Sequence, residues 1–67
     1  IGQSAGQFIR NYRLNTAREL LLKNRETKQM NIAEIAYEVG FNDPKYFARC
    51  FSKQFNMTPS ELMNNEE

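Results

Sequence analysis

Two short apolar stripes at helical spacing meet across a single glycine, and this junction limits the fold more than any other part of the chain. Ile32, Ile35, Ala36 and Val39 recur with a 3.6-residue period, and Gly40 follows where a helix end favours a left-handed residue. Asp43 and Pro44 then restart a helix, with aspartate at the cap and proline at the first helical position, where its missing N–H costs nothing. Phe47, Cys50, Phe51 and Phe55 form the next apolar stripe, and Asn56 can end it. The reading is of two helices that cross steeply at a tight turn. Ala36 is small enough to let them approach, Gly40 takes the conformation a side chain would oppose, and Phe41 plugs the junction.

The same punctuation recurs on both sides. Asn31 and Glu34 have the spacing of a capping box, with Met30 and Ile35 placed as a hydrophobic staple. Thr58, Pro59 and Glu61 open a last helix in the same way, with Met57 facing Leu62. Ser4 and Gln7 open the first helix, which is expected to run to about Lys23, and the polar stretch from Asn24 to Met30 reads as a loop. No segment alternates as a strand would. The expected fold is all-α and homeodomain-like, a helix-turn-helix of three to four helices behind a long N-terminal linker helix. Within residues 1–67 its parts are the linker helix at 4–23, the helix-turn-helix at 31–55 and the C-terminal helix at 58–64.

The first helix carries an irregular stripe. At about 100° per residue, Ala5, Phe8, Ile9 and Tyr12 point one way, while Leu14, Ala17 and Leu21 point roughly 160° away. A helix facing one core keeps one stripe. Either this helix faces two partners in succession, only the second of which lies in the chain, or it is clamped between two sides of one small core.

Composition removes several function classes. With 67 residues the chain is one domain or part of one, and a core of that size is marginal alone. The absence of histidine excludes a zinc finger and a histidine-based catalytic site. Ser52 and Ser60 therefore have no such base to activate them, and no enzyme or cofactor is expected. Cys50, the single cysteine, can form no internal disulfide and reads as a small apolar residue. The longest apolar run, Leu20 to Leu22, is too short to span a membrane. Net charge is only +1, but Glu61, Glu66 and Glu67 lie in the last seven residues. The remainder holds nine basic residues against five acidic ones, a modestly basic body compatible with nucleic acid.

The helix expected from Asp43 to Phe55 divides into two faces. Opposite its apolar stripe stand Lys45, Arg49, Ser52 and Asn56, with Ala48 and Lys53 beside them. Long donors on a rigid helix suit the major groove, where arginine or lysine can pair with guanine O6 and N7. Ala48 is short enough to let the helix sit deep or to meet a thymine methyl. Tyr46 borders both faces, so groove contact and core edge stay open. A cationic stripe is also what a merely solvated helix face shows. It is the ordered combination with the turn and the capped helices that points to DNA.

Those residues also resemble a known family. Arg13-Leu14-x-x-Ala17-x-x-Leu20-Leu21, Ile32-Ala33-x-Ile35-Ala36-x-x-Val39-Gly40-Phe41, Tyr46-Phe47-x-Arg49-x-Phe51-x-x-x-Phe55 and Thr58-Pro59-Ser60-Glu61 look like the C-terminal part of the AraC/XylS transcription-regulator domain. The likeness runs from about Gln3 to Leu62. In that family two helix-turn-helix units joined by a long helix bind successive major-groove segments. The resemblance implies that the first unit is missing here, that Ser4–Lys23 is the joining helix, and that Phe8, Ile9 and Tyr12 belong against the missing half. It implies base contacts from Lys45, Tyr46, Ala48 and Arg49, with Pro44 also exposed on that helix. Phosphate contacts would come from Ser52 and Lys53, and from helix N-termini near Ile32 and Ser60. Asp43-Pro44 and Leu62-Met63 depart from the family's usual residues.

The function expected is therefore sequence-specific binding of double-stranded DNA by a transcription regulator, with the transcription machinery as a further partner. The alternative is a small helical protein-interaction module whose Lys45/Arg49 face meets an acidic partner. A cytoplasmic, nucleoid-associated location is expected. A ligand-binding domain, a phosphorylated receiver or a membrane-bound sensor with this segment on its cytoplasmic side are all compatible as N-terminal neighbours.

Overall fold

The computed structural model describes residues 4–64. Among them every regular element is helical: α1 spans Ala5–Thr27, α2 Ile32–Glu38, α3 Pro44–Phe55 and α4 Pro59–Asn64. At 1.5 Å per residue the 23 residues of α1 extend roughly 35 Å, close to the molecule's longest dimension of 36 Å. This helix is the spine, and the other three pack on its second half, where Leu14, Ala17, Leu21 and Asn24 are buried. The tail carboxylates Glu66 and Glu67 lie outside the described residues.

Each helix starts where its cap residue dictates. The Ser4 hydroxyl accepts the Gln7 N–H at 3.1 Å. Asn31 and Glu34 form the full reciprocal box, each side chain accepting the other's backbone N–H at 2.8 Å. Asp43 accepts the Lys45 N–H at 3.0 Å, with Pro44 at the first position. Thr58 and Glu61 repeat the box at 3.0 and 2.8 Å. These bonds satisfy donors that helix geometry leaves without intrahelical partners.

The end of α1 corrects the sequence reading. The helix does not stop at Lys23 but runs to Thr27, and Lys28 caps it in the left-handed conformation with φ 53°. The cause is Asn24, read from sequence as the first loop residue and found only 5% exposed. Its Oδ1 accepts the backbone N–H groups of Gln29 at 2.9 Å and Met30 at 3.0 Å. Its amide donates to the Met30 carbonyl and to the Met63 sulfur. One side chain thus satisfies the short connection into α2 and ties α4 to α1. Losing it would strand several buried polar groups at once.

The α2–α3 turn is closed by backbone bonds. The Gly40 N–H donates to the Tyr37 carbonyl at 3.1 Å, and the Phe41 N–H reaches back to the Ala36 carbonyl at 2.9 Å. That pair of bonds is a Schellman motif, and it needs a positive φ at Gly40, found at 103°. The motif brings Phe41 back over fully buried Ala36, so the plug and the small residue are parts of one device.

The core is continuous. Phe41 meets Phe47 edge to face at 5.2 Å, Phe47 meets Phe51 at 5.7 Å, and Phe51 meets Phe55 at 4.7 Å. Phe47 and Phe51 are completely buried beside Leu14, Leu21 and Ile35, each contributing roughly 1.5–3 kcal/mol through burial. The expected α3 stripe is only partly as drawn, since Cys50 and Phe55 are half-buried. Phe55 lies at the edge, with the Arg18 guanidinium 5.9 Å from its ring centroid. The clamped alternative for α1 is overturned: Phe8, Ile9 and Tyr12 are 63%, 46% and 68% exposed.

Candidate nucleic-acid interface

The candidate interface lies on α3, whose other face is fixed in the core. Burying Phe47 and Phe51 at positions four residues apart sets the rotation of the helix about its axis. That rotation turns Lys45, Arg49 and Lys53 to solvent on successive turns. Ala48 and Ser52 lie beside this row and are half-buried, so they border it. Pro44 is half-buried at the helix start.

Tyr46 is a core edge that keeps an exposed side: its ring packs 6.0 Å from Phe41, yet 44% of the residue remains exposed beside Lys45.

Ile32 and Ser60 stand at the starts of α2 and α4. The capping boxes use the N–H groups of Glu34 and Glu61 and leave those of Ile32 and Ser60 outside the caps. Each box also sets a carboxylate at the same helix end, which weakens its pull on a phosphate. Neither end lies in the row formed by α3. Ala36, Gly40 and Phe41 meet in the turn through the Phe41 N–H bond to the Ala36 carbonyl.

A cleft of about 740 Å³ opens between the first half of α1 and the start of α3. Arg10 and Arg13 of α1 line it together with Lys45, Tyr46 and Arg49 of α3. The sequence reading named neither arginine as a contact. Their spacing of three residues on the helix was the available signal, but only the packing of α1 on the turn shows that they face α3. Among the described residues no helix is long and apolar enough to cross a membrane.

A rigid helix with one face buried in a core and a row of cations on the other, presented by a Schellman turn, defines a helix-turn-helix DNA-binding domain. Comparison agrees: the family model described as "Helix-turn-helix domain" matches residues 1–65. The chain is 38% identical over 61 residues to Transcriptional activator RhrA of Rhizobium meliloti, covering 91% of the chain and 19% of that protein. It is 36% identical over 64 residues to Probable transcription factor PqrA of Proteus vulgaris, covering 96% and 49%. It is also 50% identical over 58 residues to Histidine kinase P4 of Formosa agariphila, covering 87% of the chain and 4% of that protein. The chain spans less than half the length of each of these relatives. No solved structure matches it. The chain belongs to the AraC-type helix-turn-helix family of DNA-binding transcription regulators.

Proposed function

We propose that the chain gives a transcription regulator its sequence preference by placing α3 in the major groove, with Lys45 and Arg49 on base edges. The observation that carries this is the division of α3, in which completely buried Phe47 and Phe51 oppose exposed Lys45 and Arg49. A helix held this firmly presents its donors with little further loss of backbone freedom. Arginine's planar fork fits guanine O6 and N7. Tyr46 and Ala48 flank the two readers, with Ala48 short enough to meet a thymine methyl. Ser52 and Lys53, one turn further on, fall toward the strand and serve phosphates, as do the N–H groups near Ile32 and Ser60.

The domain acts without cofactor and without catalysis. Its neighbours in the whole protein hold the signal, and a relative named as a histidine kinase fits a sensor parent with this segment on the cytoplasmic side. The exposed Phe8, Ile9 and Tyr12 fit a second DNA-reading unit packed on the start of α1.

Binding measurements on the full-length protein test the assignment. Arg49→Ala should cost about 1–3 kcal/mol on a site selected from random DNA, with discrimination lost mainly at one base pair. Lys53→Ala should weaken selected and random duplexes alike and lower the salt slope by about one unit. Equal losses on both duplexes for both variants would reduce Arg49 to a phosphate contact.

A further inference from the structure

We propose that α1 is itself a DNA-contacting element, with Arg10 and Arg13 clamping the phosphate backbone of the strand beside the groove that α3 enters. This rests on the reading of α3 as the base-reading helix. The first ground is charge. Arg10 and Arg13 share one cleft with Lys45 and Arg49, and among the described residues Asp43 is the only acidic one lining it. The Asp43 carboxylate is already engaged in capping α3. Arg10 also meets Lys53 across a neighbouring hollow of about 220 Å³. Five of the chain's nine basic residues therefore collect along two hollows where α1 meets α3. Gathering them there costs self-repulsion that a surface built only for solubility avoids, and a polyanion offsets that cost.

The second ground is the seating of Arg13. A β-carbon at Gly40 would stand 3.0 Å from its Nε, 3.1 Å from its Cζ and 3.4 Å from its Cδ. The guanidinium thus lies against the bare backbone of the turn. Gly40 is required for its positive φ, and its bare backbone leaves the room that this side chain occupies. An arginine lying on the turn while still exposed has its forked donors available to an outside acceptor, and phosphate oxygens suit that fork. Phosphate is favoured over bases because α1 flanks the reading helix rather than sharing its outward row.

The test measures affinity of the full-length protein for a selected site and for a random duplex across a range of salt. The variants are Arg10→Gln with Arg13→Gln, Arg10→Gln alone, and the paired lysine replacements. The glutamine pair should lower the slope of log affinity against log salt by about two units, and Arg10→Gln alone by about one. Both duplexes should respond equally, with base preference unchanged, and the lysine pair should keep the slope. Arg10 is not seated on the turn, so its single variant reports even if the pair perturbs the fold. An unchanged slope, with Arg49→Ala still altering base preference, overturns the clamp and leaves the α3 reading standing. Loss confined to the selected site overturns the phosphate assignment. No binding to either duplex by the unaltered protein overturns both.

Discussion

The two halves of α1 have the same backbone and opposite fates. From Leu14 to Asn24 its inward residues are buried under three other helices, and Leu14, Ala17 and Leu21 have almost no exposed surface. From Ala5 to Tyr12 the helix continues with Phe8, Ile9 and Tyr12 in the open. Helical hydrogen bonding propagates locally once a turn has nucleated, whereas burial needs a partner from elsewhere. A regular helix is therefore no sign that its apolar residues are satisfied, and the direction of each stripe is the better guide to what packs where.

The comparison breaks most sharply under truncation. Leu21→Ala should cost about 2–5 kcal/mol, since it opens a cavity where α1 meets the core. Denaturant unfolding measures it, and a loss below about 1 kcal/mol would mean that the second half of α1 is no firmer than the first. Next is Asn24→Ala, expected to cost about 1–3 kcal/mol by stranding the Gln29 and Met30 N–H groups. An unchanged melting temperature would show that water replaces the amide. Smallest is Phe8→Ser, which in the 67-residue chain by itself should stay within about 0.5 kcal/mol, as for other exposed sites. A larger loss there would show Phe8 packed against these four helices and not open to a second unit.

Much of this arrangement was readable because its signals are local. Caps at Ser4, Asn31, Asp43 and Thr58 act within three residues, and Gly40 acts within its own turn. The opposed stripes of α1 also followed from spacing alone. What escaped depends on distant partners. Asn24 looks like a loop residue until Met63, 39 positions away, is brought beside its amide. Arg13 was visible only as part of a family pattern, and its place over Gly40 exists only once α1 crosses the turn. Phe55 and Cys50 share the stripe of Phe47 and Phe51 but fall at its margin, where periodicity alone does not separate edge from centre.

The construction of the turn has a consequence for how such domains diversify. The orientation of α3 is set by backbone bonds from Gly40 and Phe41 and by inward phenylalanines, none of which is an outward residue. Lys45 and Arg49 hang from this frame without supporting it, and exposed substitutions of that kind usually move stability by no more than about 0.5 kcal/mol. With α3 as the proposed reading helix, such a domain would be retargeted to a new operator by rewriting a few outward letters, with folding and recognition changing independently.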